Sequence, residues 1–203
     1  MLTAGTRLRI AGLCGIVAPF FLLLLLLFTI LISPWFSWTD NALSDLGVQG
    51  NSAIIFNLSL IFGGILIVVF AGGFFKTLKS HLSRIGASII FLDGISLIAI
   101  GVFPETFGVL HTFVSVIFFT LLPLYLWIFG VALIRETPET RFGVLIILLG
   151  IGSASIWMLG WDGVAIPETF ASLAGSVWLV TMGLRMFRQK HHGLYPKKMN
   201  QFR

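Results

Sequence analysis

The sequence predicts an all-α integral membrane protein, a bundle of six transmembrane helices with both termini in the cytoplasm. Two observations predict this class. Of the 203 residues, 57% are hydrophobic and only 10% are charged, whereas a soluble domain carries about 25% charged residues. The apolar residues are also gathered into six long stretches, and lipid-facing positions of a membrane bundle must be apolar.

Each of the six stretches is long enough for the roughly 20 residues that cross about 30 Å of hydrocarbon. The first is preceded by Arg7 and Arg9, as a secretory signal would be, but it exceeds the apolar length of about 7–15 residues in a signal. We therefore expect it to remain as the first helix. The loops are short, which predicts a single domain over residues 1–203. The predicted helices span about 10–32, 52–75, 85–103, 109–133, 142–160 and 168–187.

The basic residues predict the orientation, because Lys and Arg beside membrane spans belong on the cytoplasmic side. With a cytoplasmic N-terminus, all 13 fall on that side: Arg7, Arg9, Lys76, Lys79, Arg84, Arg135, Arg141, Arg185, Arg188, Lys190, Lys197, Lys198 and Arg203. This asymmetry supports a multi-pass protein of the cell membrane. It also explains the net charge of +5 without nucleic acid as a partner. We expect membrane lipids as partners, and the oligomeric state stays open.

Most acidic residues are predicted on the opposite, outer side, and the rule for Lys and Arg does not explain why. They are Asp40, Asp45, Glu105, Asp162 and Glu168. Two of them belong to a repeated tetrapeptide, Pro104-Glu105-Thr106-Phe107 and Pro167-Glu168-Thr169-Phe170. The repeat indicates either ordinary helix-start chemistry, in which proline and an acid suit the first turn, or duplicated hairpins such as some transporters contain.

Asp93 lies within the third predicted helix, roughly 15 Å deep at 1.5 Å per residue. A carboxyl at this depth costs at least about 2.5 kcal/mol, so it usually faces the bundle interior and has a partner. Asp93 is therefore a candidate proton relay, ion ligand or catalytic acid. The structural alternative is a hydrogen-bonded tie between helices.

Two further polar residues lie in the outer half of the predicted bundle. Asn57, in the second helix, is a candidate hydrogen-bonding residue between helices. His111 opens the fourth helix with Ser115 on the same face, and it is a candidate general base or an interfacial hydrogen-bonding residue. We predict no metal site and no cofactor, because the other histidines map to the opposite side: His81, His191 and His192.

The first outer loop contains Asp40-Asn41-Ala42-Leu43-Ser44-Asp45-Leu46-Gly47, which supplies turn-forming and N-cap residues. If this loop folds over the mouth of the bundle, Ser44 and Asp45 join Glu105 and His111 there. We therefore expect a ligand-binding site formed by Ser44, Asp45, Asn57, Asp93, Glu105 and His111. The candidate catalytic residues within it are Ser44, Asp45, Asp93 and His111.

The run Asn41-Ala42-Leu43-Ser44-Asp45-Leu46-Gly47, followed by Phe56-Asn57, resembles the uncharacterised prokaryotic membrane family called domain of unknown function 998. Phe103-Pro104-Glu105 followed by His111 resembles it too. Ser44-Asp45-x-Gly47 with Phe56 downstream is similar to the Frag/DRAM/Sfk superfamily of six-helix proteins. The recurring positions of the family are matched by Ser44, Asp45, Gly47, Asn57, Glu105 and His111.

The resemblance implies a six-helix bundle but little about activity. The prokaryotic family has no established activity, while some distant eukaryotic relatives act in lipid-anchor remodelling or as membrane regulators. Asp93 is not matched, so its role depends on its depth alone.

Three functions are compatible with these residues. The first is binding of a lipid or small amphiphile in a polar pocket on the outer side. The second is a membrane-embedded lipid hydrolase or transferase, in which Ser44 or a bound water attacks and His111 or Asp93 is the base. The third is a proton- or cation-coupled transporter that uses Asp93. Convergence of His111 with the carboxylates around a cavity would indicate a site, whereas separation would indicate a scaffold.

Overall fold

The computed structural model describes residues 3–188, and within this range the chain forms six long helices and no strand. Each helix is long and apolar enough to cross a membrane. The prediction of an all-α, six-helix membrane bundle is therefore confirmed. Lys190, His191, His192, Lys197, Lys198 and Arg203 lie outside the described residues. The helices are α1 (Ala4–Leu31), α2 (Gly50–Phe75), α3 (His81–Val102), α4 (Val109–Glu136), α5 (Thr140–Ser155) and α6 (Ala165–Arg188).

The observed helices differ from the predicted ranges mainly at their ends. α1 begins at Ala4, well before the predicted start, because the Thr3 hydroxyl caps it by accepting a hydrogen bond from the Thr6 amide at 3.2 Å. α5 ends at Ser155, and a 3₁₀ turn at Ile156–Met158 completes its span. Polar capping lets a helix extend beyond the apolar stretch that identifies it.

The helices pack in chain order, α1 on α2, α2 on α3, α3 on α4 and α4 on α5, and α6 closes the bundle against α1. α6 packs less extensively on α4 and α5 than on α1. Every second loop lies at the same end because successive helices run in opposite directions. The described Lys and Arg residues all lie near one end, which we call the basic end, and the opposite end is called the acidic end.

The basic half of the bundle is closed by aromatic packing. The side chains of Phe70, Phe74, Phe129 and Trp178 are fully buried. The rings of Phe129 and Trp178 stack with centroids 4.5 Å apart, and the Phe74 ring lies 5.4 Å from both Phe70 and Phe129. Arg185 of α6 also pairs with Glu139, just before α5, at 2.8 Å. The helices are therefore held tightly together toward the basic end.

Candidate ligand-binding site

Residues 33–49 cross the acidic end of the bundle and are called the strap. The strap leaves α1 and pairs with the loop before α6, where the Gly163 amide donates to the Thr39 carbonyl at 2.6 Å and the Ala165 amide donates to the Asn41 carbonyl at 2.9 Å. Gly163 permits this approach because a Cβ there would overlap the backbone of residues 40–41. The strap, which is the loop between α1 and α2, is thus packed against the bundle.

The middle of the strap is a 3₁₀ turn, Leu43–Gly47, that Asp45 stabilises. The Asp45 carboxylate accepts hydrogen bonds from the Asn41 side-chain amide at 2.7 Å and from the Ala42 backbone amide at 3.0 Å. At the end of the turn, the Asn57 side chain donates to the Gly47 carbonyl at 2.9 Å. Asn57 therefore fastens the strap to α2, and this bond is not one between two helices.

Glu105 approaches the same turn from the loop between α3 and α4. It begins a short 3₁₀ turn, Glu105–Phe107, and Gly108 redirects the chain into α4 with a positive φ of 56°. Burial raises the pKa of Glu105, and the neighbouring Asp45 carboxyl raises it further. The Ser44 hydroxyl and His111 act on this pKa in the opposite direction. The Asp45 carboxyl therefore lies close enough to Glu105 to oppose the ionisation of Glu105.

His111 is buried at the start of α4, with 6% of its surface exposed. Its Nδ1 lies 2.8 Å from the Phe103 carbonyl oxygen, and its Nε2 lies 3.4 Å from the Ser115 hydroxyl. A carbonyl can only accept, so Nδ1 carries a proton, and in a neutral ring Nε2 is then an acceptor for the Ser115 hydroxyl. The imidazole is thus oriented with Nε2 toward Ser115.

Glu168 is a member of this group that is not among the predicted site residues. It lies in the first turn of α6, is 8% exposed, and accepts a hydrogen bond from the Leu43 amide of the strap at 2.7 Å. Its carboxyl is within electrostatic range of Glu105 and Asp45. The repeated tetrapeptide was the feature of the sequence that pointed to Glu168. Its two copies contain Glu105 and Glu168, and both glutamates lie at the acidic end.

A cavity of about 140 Å³ extends from this group into the bundle. Ser44 and Glu168 line it near the acidic end, and Asp93 and Tyr125 line it at mid-membrane. The rest of the lining is mostly apolar and comes from α1, α2, α3, α4 and α6. Leu23 and Leu173 line the cavity and are also exposed on the lipid-facing surface. The cavity therefore lies in the acidic half and centre of the bundle and reaches toward the lipid.

Asp93 is separate from the acidic-end group and lies at the middle of α3. It is 2% exposed, and its Oδ1 has no hydrogen-bond partner among residues 3–188. Tyr125 lies within electrostatic range, and the hydroxyl of this tyrosine packs against Gly175 of α6. Asp93 thus faces the cavity with an oxygen that no described polar group satisfies.

The predicted site residues therefore fall into three positions. Ser44, Asp45, Glu105 and His111 come together at the acidic end, Asn57 holds the strap, and Asp93 lies deeper in the same bundle. Ser115, Glu168 and Tyr125 are further polar residues in the cavity lining. Among the described residues, no group of three or more His, Cys, Asp or Glu side chains is arranged to hold a metal ion.

The fold defines a multi-pass α-helical membrane protein. Inside the bundle it contains a cavity with polar residues at the acidic end. The chain belongs to the family described as "Protein of unknown function (DUF998)", whose model matches residues 16–185. The chain matches no curated protein and no solved structure. The similarity to the Frag/DRAM/Sfk superfamily stays a prediction.

Proposed function

We propose that this protein binds a lipid or small amphiphile in the cavity, from the acidic side of the membrane. The observation that carries this proposal is the one-sided shape of the cavity. Its lining runs from Ser44 and Glu168 to Asp93, whereas aromatic packing closes the bundle toward the basic end. A pocket that begins at one side and ends at mid-membrane suits a molecule that stays bound better than a molecule that is transported across the membrane.

The acidic end faces the outside of the cell in this proposal. The described Lys and Arg residues lie at the other end, which is the arrangement that the positive-inside rule gives for a cytoplasmic basic end. The ligand would then enter from the outer leaflet, close to the exposed leucines Leu23 and Leu173.

The size of the cavity limits what can be enclosed. An engineered cavity of about 150 Å³ holds one benzene molecule, so a cavity of about 140 Å³ encloses a comparable stretch of one chain. The remainder of an amphiphile would extend into lipid beside Leu173. An acyl chain that enters from hydrocarbon gains little hydrophobic free energy, because lipid tails are as apolar as leucine. Selectivity must therefore come from the polar side chains.

A filling substitution tests the proposal. Ser172 lines the cavity from α6, so Ser172→Phe should occupy the space. Val177→Phe is the matched control, because Val177 is on the same helix but is exposed and does not line the cavity. Native mass spectrometry of gently purified protein should find an enriched lipid or amphiphile in the wild type and in Val177→Phe, and much less in Ser172→Phe. Equal recovery in all three, or no enrichment in the wild type, would overturn the proposal.

One observation favours a second function, a lipid hydrolase or transferase. Ser115 lines the cavity and its hydroxyl lies 3.4 Å from His111 Nε2, while Nδ1 is held by the Phe103 carbonyl. A hydrogen-bonded carbonyl, a histidine and a serine in this order form the arrangement in which a histidine activates a serine. The distance between the serine hydroxyl and Nε2 is at the long end of hydrogen-bond distances. Ser44 fits the role of attacking group less well, because its hydroxyl interacts with Glu105.

Labelling by a fluorophosphonate probe tests the second function. We expect labelling of the wild type and of Ser172→Ala, whose serine lines the same cavity, and none in Ser115→Ala. An unlabelled wild-type protein that is correctly folded would remove this function and leave ligand binding intact.

A further inference from the structure

The cavity lining contains two acidic side chains and no basic one among the described residues. Asp93 and Glu168 are in its lining, and Asp45 and Glu105 lie next to Glu168 at the acidic end. Among the described residues that line the cavity there is no Lys, Arg or His. Carboxylates that line an apolar, concave surface focus the potential and attract positive ions.

Two acidic side chains of this region have a buried oxygen without a hydrogen-bond partner among residues 3–188, Oδ1 of Asp93 at mid-membrane and Oε2 of Glu105 at the acidic end, and only Asp93 of these two lines the cavity. Asp45 accepts two hydrogen bonds within the strap, and Glu168 accepts one from Leu43. Asp93 is 2% exposed, and its Oδ1 has no partner in the described chain. A carboxylate that is buried without a partner is costly, so such a group either holds a proton and is neutral or is paired with a positive charge. A bound species can supply the missing positive charge.

The walls of the cavity suit an organic cation. Phe118, Phe119 and Tyr125 of α4, together with Phe56 of α2, contribute aromatic rings to the lining. The negative faces of aromatic rings attract ammonium groups, most strongly when water is excluded. A metal ion fits less well, since Asp93 belongs to no group of metal-ligating side chains within residues 3–188.

We propose that the ligand is a cationic amphiphile, an alkylammonium whose positive nitrogen pairs with Asp93 in the aromatic-lined cavity and whose chain leaves toward the lipid beside Leu23 and Leu173. This inference rests on the proposed ligand-binding function and specifies the chemical class of the ligand. Asp45, Glu105 and Glu168 lie together at the acidic end, where their ionised forms attract cations to the entrance of the cavity. The ammonium belongs either to a lipid head group or to a free amine.

Binding of three probes with the same octyl chain and a cationic, neutral or anionic head group tests this class. Wild-type protein in nanodiscs of neutral lipid is titrated with octyltrimethylammonium, octanol and octyl sulfate, and calorimetry measures each affinity. We expect the ammonium to bind most tightly. Asp93→Asn, which keeps the shape of the side chain, should weaken ammonium binding by at least about tenfold and leave octanol unchanged. Asp162→Asn removes an exposed carboxylate that does not line the cavity and should behave as the wild type.

A conservative variant guards against misfolding as an explanation. Asp93→Glu retains the charge and should retain the preference for ammonium over octyl sulfate, and octanol binding reports that the cavity is intact in each variant. Repeating the titration with an amine-headed lipid in the nanodisc identifies the source of the ammonium group. Weaker binding of octyltrimethylammonium, caused by competition with this lipid, supports a lipid head group. Unchanged binding supports a free amine.

The inference and the proposed function fail in different ways. Equal affinity of the wild type for all three probes, or unchanged ammonium binding in Asp93→Asn, would overturn the cationic class and leave an amphiphile site in place. Failure of all three probes to bind, together with no enriched lipid in the purified protein, would overturn both.

Discussion

Gly12 of α1 and Gly183 of α6 face each other near the basic end, where the two helix backbones make close contact. A Cβ at Gly183 would lie 2.7 Å from the Gly12 carbonyl oxygen, and a Cβ at Gly12 would lie 2.8 Å from the Gly183 carbonyl oxygen. Both neighbours are backbone atoms and cannot rotate away. Gly183→Ala must therefore push α1 and α6 apart, in the part of the bundle that closes the cavity.

A matched control separates the expected loss of stability in Gly183→Ala from the effect of helix propensity. At Gly72 of α2, an added methyl group would meet no atom within 4 Å, so Gly72→Ala gains the same propensity of about 1 kcal/mol without a clash. Overpacking costs about 1–3 kcal/mol. We expect the free energy of unfolding of Gly183→Ala to lie about 1–3 kcal/mol below that of Gly72→Ala, measured by reversible denaturation with sodium dodecyl sulfate in mixed micelles.

The double variant Gly12→Ala/Gly183→Ala gives a second check. Both methyl groups enter the same gap between α1 and α6. Once the first has separated the helices, the second should lower the free energy of unfolding by less, so the loss in the double variant should be smaller than the sum of the two single losses. Equal stability of Gly183→Ala and Gly72→Ala would refute the close approach of α1 and α6.

Three further predictions concern the acidic end and the orientation. Because burial and Asp45 raise the pKa of Glu105 from its ordinary value of 4.5, the folded state holds this proton more tightly than the unfolded chain, and stability should fall as the pH rises from 4.5 through the raised value. Glu105→Gln should flatten this part of a stability-against-pH curve, and an unchanged slope would contradict the assignment. Asn57→Leu removes the hydrogen bond to Gly47 and should cost about 1 kcal/mol, with faster hydrogen exchange in residues 43–47; unchanged exchange there would show that the strap is held by other contacts. In a Cys14→Ala background, Asp162→Cys should react with a membrane-impermeant maleimide on intact cells and Lys79→Cys only after permeabilisation, and the reverse pattern would invert the proposed orientation.

The existence of the six helices follows from the sequence because the constraint is local. A span needs an uninterrupted apolar stretch of sufficient length, and each stretch contains that information by itself. The distribution of Lys and Arg adds a second local signal that agrees with the number of spans. Helix ends are less well predicted, as α1 shows, because a single cap at Thr3 extends the helix into polar sequence.

The sequence identifies the polar residues but not their relations to one another. Counting spans assigns Ser44, Asp45, Glu105 and His111 to one side, and depth alone assigns Asp93 to mid-membrane. The sequence does not indicate that Glu168 belongs to the site, although this residue is buried and joins α6 to the strap. Ser115 shares a face with His111 in the sequence, and the structure adds that this face lines the cavity.

The sequence by itself determined the class of protein, the number of spans and the side on which each polar residue is expected. Only the tertiary structure decided which face of each helix points inward, how the strap packs on α6, and that a cavity connects the acidic end with Asp93. The physical reason is that membrane spans are apolar on all sides, since lipid and protein interior are equally apolar surroundings. Hydrophobic patterning therefore sets the depth of a residue but not the rotation of its helix, and that rotation is set by side-chain packing between helices distant in the chain.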